Sequence, residues 1–293
     1  MANHYAVNEK DIRFVLYEHL RIQDLGRMEP FAGLGREDFD QVLNQSLKLA
    51  QQVLAPLHEL SDREGMKFDR GQVTVPREFH QAYRKFCEGG WIAVSRNPEY
   101  GGGGLPTVMR MMTLEFFEGS CVAFAIYPGL GHGVGHLVES FGDEEMKALY
   151  TERLYRGEWG GTMCLTEPQA GSALADVKTT AQPVSDRIYK IKGQKQFISC
   201  GEHDLTPNII HMVLARIEGA PAGVRGSASS WCPSGESAPT APWANPTTSP
   251  ASPSKRKWGC TGRPPARCPS GRTITAWASW WASPTWVCPT CSR

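Results

Sequence analysis

The sequence predicts an α+β fold, with a helical part first, a partial β part second and a tail that matches neither. Three observations predict it. Apolar residues recur at helical spacing through roughly the first 155 residues. Beyond Gly160 the period shortens to that of strands. At Ser227 the composition changes abruptly. Helices followed by strands, rather than alternating with them, imply segregated α and β parts.

Taken in order, residues 11–25 place Ile12, Val15, Leu16, His19 and Leu20 at helical spacing. Residues 37–60 read as one long amphipathic helix through Phe39, Val42, Leu43, Leu47, Leu49, Val53, Leu54 and Leu57, with a kink or an end at Pro56. Thr74-Val75-Pro76 opens a helix that runs to about Glu88, where Gly89-Gly90 stops it. Gly101–Gly104 form a flexible turn. Helices follow over 106–117 and through the glycine-containing apolar stretch 122–141. Asp143 caps a further helix to Tyr155. Strands are expected over 161–166, 178–183, 188–191, 196–199 and 209–215, with Gly193 at a hairpin turn.

The formal net charge of +1 gives no electrostatic case for nucleic acid or an anionic membrane as a partner. No apolar run approaches the roughly 20 residues of a membrane span, and the N-terminus lacks an apolar signal core, so a cytoplasmic location is expected.

The tail, 227–293, has no Leu, Phe, Tyr, Met, Asp, His or Gln, yet holds seven of the nine Trp, five of the nine Cys and eleven of the 21 Pro. Disordered segments are also poor in Leu and Phe, but they avoid Trp and Cys. A shifted reading frame accounts for this mixture. Trp has a single codon, so each Trp fixes one residue of the displaced frame. Trp231-Cys232 forces Val, Trp243-Ala244 and Trp258-Gly259 force Gly, and Trp280-Trp281-Ala282 forces Val-Gly. The displaced reading of Gly226 to Ser234 permits Ile-Ser-Leu-Phe-Val-Val-Pro-Lys, which has strand character. The expectation is a non-native, disordered tail after about Gly226; the alternative is a genuine Pro/Trp/Cys-rich segment.

Chemistry concentrates in two phrases. Met163-Cys-Leu-Thr-Glu-Pro-Gln-Ala-Gly-Ser172 ends a strand and enters a loop whose backbone N–H groups and hydroxyls can approach an anionic or heteroaromatic ligand. By itself it reads sooner as a surface turn than as a ligand loop. The second is Tyr189-Lys-Ile-Lys-Gly-Gln-Lys-Gln-Phe-Ile-Ser199. Together with Asn97-Pro-Glu-Tyr-Gly-Gly-Gly-Gly-Leu-Pro106, and in this order, they resemble the signatures of the acyl-CoA dehydrogenases over about residues 35–226.

The resemblance implies a domain layout: an N-terminal extension at 1–35, a helical domain at 36–158, a partial β-barrel middle domain at 159–226, and no C-terminal helical domain. The extension resembles that of the subfamily that includes the 3-methylmercaptopropionyl-CoA dehydrogenases. The resemblance further implies FAD as cofactor, an acyl-CoA substrate, an electron-transfer flavoprotein as electron acceptor and a homo-oligomer in intact relatives. It places Met163, Leu165 and Thr166 along the flavin ring with Thr166 donating to it, Gly171 and Ser172 near FAD and acyl-CoA, and Phe197, Ile198 and Ser199 over the ring from the second strand. Where relatives carry Asp after Gly-Ser, this chain has Ala173, which puts that contact in doubt. The family's catalytic glutamate lies in the missing C-terminal domain, so no catalytic residue is assigned here; Glu167 and Glu202 are expected in turn or surface roles. An inactive fragment is expected, with a non-catalytic binding relative or a pseudogene product as alternatives.

Other signals are weaker. His132 and His136 share a helix face without a third zinc ligand. Cys288 and Cys291 form an unpaired C-x-x-C. Gly101–Gly104 lack the Lys-Ser/Thr of a phosphate loop.

Overall fold

The structure is a computed structural model and describes residues 5–185, 188–220, 227–233 and 274–277. Helices α1 (Glu9–Arg13), α2 (Arg36–Leu49), α3 (Ala55–Glu64), α4 (Arg77–Glu88) and α5 (Thr107–Phe141) build the first part. Its core includes Leu16, Phe39, Leu54, Phe79, Met109 and Phe124, each fully buried.

The expected helix over 11–25 is shorter than its periodicity suggests. α1 continues as a π-helical turn, Phe14–His19, and ends at Arg21, whose φ of 53° is left-handed. Leu16, Tyr17 and Ile22 are buried while Phe14, Val15 and Leu20 are exposed. Leu16 and Ile22 are six residues apart, which puts them on different sides of a straight helix, so the break brings both into the core. The α1 segment is pinned to α2 at Asp40, which pairs with Arg13 and accepts a 2.8 Å bond from the Tyr17 hydroxyl.

Pro56 acts as expected. A π-helical turn, Ala50–Leu54, interrupts the long helix, and Pro56 sits in the first turn of α3, where no backbone N–H is needed. α4 starts after Pro76 and ends before Gly89. Between α3 and α4 lies a hairpin, β1 (Lys67–Asp69) and β2 (Gln72–Thr74), which the sequence reading missed. Its turn uses Arg70 and Gly71 at φ 45° and 95°, so the Asp-Arg-Gly run was the available signal.

Gly101–Gly104 form no loose turn: Gly103 N donates to Ala93 O at 2.9 Å and Gly104 N to Arg96 O at 3.0 Å. The helices expected over 106–117 and 122–141 are two limbs of α5, joined at Cys121, whose φ −160° and ψ 86° are not helical. α5 is long and apolar enough to cross a membrane by length and composition, an exception to the reading of short apolar runs. Most of its apolar window is buried against the other elements, as befits the central helix of a core. α6 (Glu144–Met146), a π-helical turn at Lys147–Thr151 and α7 (Glu152–Tyr155) follow; Asp143 caps α6 by accepting from Met146 N at 2.9 Å.

The β part comprises β3 (Gly160–Cys164), β4 (Thr180–Ser185), β5 (Ile188–Lys192), β6 (Ile209–Ile217), β7 (Ser227–Pro233) and β8 (Ile274–Trp277). β6 runs parallel to β3 along its first half and to β4 at its end. β4–β5, β5–β8, β8–β7 and β7–β6 are antiparallel, which closes a ring of strands. Two expectations fail here. Residues 196–199 are not a strand, for reasons that belong to the site described below. Gly193 is not at the hairpin turn, because the β4–β5 register pairs Ser185 with Ile188. Its role is close approach: a Cβ there would lie 2.2 Å from Thr179 Oγ1. Within 227–293, β7 and β8 are strands rather than disordered chain; the remaining expectations for that tail, including Cys288, Cys291 and the displaced residues fixed by Trp243, Trp258, Trp280 and Trp281, lie outside the described residues.

β3 lies directly on α5. A Cβ at Gly161 would meet Val134 Cγ2 at 2.7 Å and Leu130 O at 2.9 Å. Gly161→Ala is therefore expected to destabilise the protein by about 1–3 kcal/mol through overpacking, read as a lowered midpoint in urea.

Candidate functional site

Chain geometry around the end of β3 is set by one buried pair. Glu167 and Lys195 are 3% and 6% exposed, and Lys195 Nζ lies 2.8 Å from Glu167 Oε1. The same Nζ donates to Leu165 O at 2.9 Å. Glu167 also accepts from Lys178 N (2.7 Å), Thr179 N (2.9 Å) and Gln169 Nε2 (2.6 Å). Burial by itself raises the Glu167 pKa, but the bonds from Lys195 and the two backbone amides outweigh it and hold the carboxyl at about 2.

This carboxylate is thus lowered relative to an unfolded glutamate. Its contribution to stability is complete above the unfolded value of about 4.3 and is lost as pH falls toward about 2. Thermal melts of wild type and Glu167→Gln are expected to differ most near neutral pH and to converge over that acid window. A gap independent of pH would show that the charge of Glu167 contributes nothing.

The two phrases meet here. Gln196 N donates to Thr166 O at 2.9 Å, and Gln196 Nε2 to Glu167 O at 3.4 Å. These bonds replace a regular ladder, which is why 196–199 does not form a strand. Phe197 follows at φ 60°, a conformation uncommon for a bulky residue, and is 55% exposed. Met163, Leu165, Thr166 and Ile198 are half-buried, Met163 against the cluster of Val134, Trp159 and Ile210 and Ile198 against that of Cys164, Ala181 and Val213, and Ser199 is exposed. Glu167 and Ala170 exchange two backbone bonds, closing a tight turn that carries Gly171 and Ser172 outward to exposed positions. Hydrogen bonds join the first phrase to the second at Leu165, Thr166 and Glu167, and among the described residues none ties Gly171 or Ser172 to it.

Sequence reasoning puts Glu167 in a turn or surface role; its backbone does close a turn with Ala170, but its carboxylate is buried and ion-paired rather than at the surface. Lys195 was not singled out at all. Both sit inside the two phrases, but nothing local in either phrase announces a partner 28 residues away.

The helical part closes over the second phrase. Asp204 accepts from Val75 N at 2.9 Å and its other oxygen lies 3.2 Å from His80 Nε2. Met66, Phe68, Tyr127, Ile198 and Cys200 line a cleft between the β1–β2 hairpin and the stretch after Phe197, with Glu202 at its edge. His132 is packed inside α5's contacts, its Nδ1–H donating to Ile92 O at 2.7 Å; burial, then the charge of Arg110, push its pKa down to about 3. His136 lies beside Arg96. Among the described residues no three His, Cys, Asp or Glu side chains gather around a common point.

The arrangement offers an exposed aromatic face on a constrained backbone, and hydroxyls at Thr166 and Ser199 for which the described residues supply no partner. That donor set suits a planar heteroaromatic ligand with polar edges.

Comparison with known proteins finds relatives over most of the chain. Residues 36–158 match the family model described as acyl-CoA dehydrogenase, N-terminal domain. The 3-methylmercaptopropionyl-CoA dehydrogenase of Ruegeria pomeroyi is 38% identical over 223 residues, which is 76% of this chain and 38% of that protein. A butyryl-CoA dehydrogenase of Syntrophomonas wolfei is 35% identical over 227 residues, 76% of this chain and 37% of that protein. The solved butyryl-CoA dehydrogenase of Megasphaera elsdenii superposes with a TM-score of 0.56 at 21% identity, covering 69% of this chain and 49% of that one, a likeness of fold. The chain thus spans less than two fifths of the length of these curated relatives.

Proposed function

The chain belongs to the acyl-CoA dehydrogenase family, and on that premise we propose that residues 163–172 and 195–199 form one wall of an FAD site for α,β-dehydrogenation of an acyl-CoA thioester. The observation that supports this reading is the bonded junction between Thr166 and Gln196, which joins the half-buried first phrase to the residue before the exposed Phe197. Thr166 and Ser199 would offer hydroxyls to the polar edge of the ring, Phe197 and Ile198 an apolar face, and Gly171 and Ser172 the approach to the rest of the cofactor. When bound, the flavin supplies the hydride acceptor; this chain's residues orient it and limit water at its face. An electron-transfer flavoprotein would take the electrons onward.

The described residues do not supply the base in this reading. Glu167, buried and held by four donors, has no free lone pair aimed at a substrate and is ionised far below neutral pH. The proposal is therefore a chain that recognises flavin but does not turn over. Titrating the purified chain into FAD is expected to quench flavin fluorescence, and adding butyryl-CoA is expected to leave the yellow absorbance unbleached. Unchanged fluorescence would remove the flavin reading; bleaching would remove the claim of inactivity.

We further propose that residues 227–293 come from a displaced reading frame. Their composition supports it. Sequencing the DNA across the codons for Arg225 to Ser230 tests it, and an intact frame with no related reading in the next one ends it.

A further inference from the structure

We infer that the Glu167–Lys195 pair is a positioning device for the flavin wall: it sets the relative placement of Thr166 and Phe197, and through them the seat of an isoalloxazine ring. The inference rests on the flavin reading above and adds to it two residues that never touch the ring.

Three consecutive carbonyls of the first phrase are taken by the second. Leu165 O receives Lys195 Nζ, Thr166 O receives Gln196 N, and Glu167 O receives Gln196 Nε2. The carboxylate extends the clasp to a third stretch of chain through Lys178 N and Thr179 N. One ion pair therefore ties together three loops that share no regular ladder at this point. A purely stabilising role explains this poorly. A buried ion pair gains little net stability over an apolar pair of the same shape, because desolvating both charges offsets their attraction. What apolar side chains cannot reproduce is direction. Lys195 Nζ binds one carbonyl and one carboxylate oxygen at 2.9 and 2.8 Å, and that fixes the two phrases to within the length of a hydrogen bond. The strained turn at Phe197, two residues on, is the kind of geometry that persists only when the surroundings over-determine it.

The double variant Glu167→Gln/Lys195→Met separates placement from stability, since it removes both charges together. In the full chain it is expected to keep a cooperative melt close to wild type, to bind FAD roughly tenfold more weakly, and to alter the visible circular dichroism of the flavin at saturation. Visible dichroism per bound flavin reports the ring's surroundings, and a merely structural pair would not move it. FAD affinity within about twofold of wild type with a superimposable spectrum overturns the inference while leaving the flavin site intact. A wild-type chain that fails to bind FAD overturns both. Should the double variant not melt cooperatively, Lys195→Arg decides: it keeps the cation but replaces a point donor by a planar fork, and is expected to shift the dichroism with flavin still bound. An unshifted spectrum in that variant counts against positioning.

Discussion

Replacing Phe124 by alanine is expected to cost the protein about 3–5 kcal/mol, enough to remove most of the stability of an ordinary domain. Phe124 is fully buried on α5 and meets Phe79 at 5.7 Å, Phe86 at 5.7 Å and Tyr83 at 6.5 Å, all in edge-to-face geometry. The three partners lie on α4, so one side chain couples the central helix to a second helix through a whole aromatic face. α4 is also the helix whose approach residue, Val75, and whose His80 bond Asp204 in the loop after Phe197. Truncation leaves a void whose walls are rings that cannot collapse independently, which puts the cost in the upper range for large-to-small changes. Urea denaturation followed by tryptophan fluorescence measures it. A loss below about 1 kcal/mol would mean that the aromatic cluster repacks freely and does not hold α4 to α5.

Lys195→Met alone is expected to be about as damaging, at roughly 3–5 kcal/mol, for an electrostatic reason. The methionine fits the space of the aliphatic stem but leaves Glu167 buried and ionised without its cation. The carboxylate keeps Lys178 N, Thr179 N and Gln169 Nε2 as donors, so it stays hydrogen-bonded yet uncompensated in charge. Relief comes only by protonation. The variant's Glu167 would then titrate well above its wild-type position, and the stability lost near neutral pH is expected to be partly regained in mild acid. Chemical denaturation of the variant across that range measures both effects. A small loss, uniform in pH, would show that the pair is solvated in solution.

Much of the fold was legible from the chain because its causes are local. Pro56 lacks an N–H wherever it sits, so the break in the second long helix follows from one residue. Pro76 and Gly89 bracket α4 for the same sort of reason. The change of period near Gly160 marks the passage to β3. What escaped reading is what distant residues impose. Gln196-Phe197-Ile198-Ser199 has the composition of a strand, and in isolation would be read as one. It becomes an irregular turn because Thr166, thirty positions earlier, takes the amide of Gln196. Glu167 read as a turn carboxylate because Thr-Glu-Pro usually is one; only the fold reveals Lys195 opposite it. α5 looked like two helices, and the kink at Cys121 shows why: the axis bends there while the hydrophobic face continues into the same core. The site phrases were found through resemblance, and their junction through structure; neither periodicity nor charge would have located them.

Hydrogen–deuterium exchange of the full chain with and without saturating FAD tests the flavin wall most directly. Amides in 163–172 and in 195–199 are expected to gain protection together, with little change across α2. Protection of only one of the two stretches, or of neither while FAD is demonstrably bound elsewhere, would contradict the assignment of these two phrases to a single flavin-binding surface.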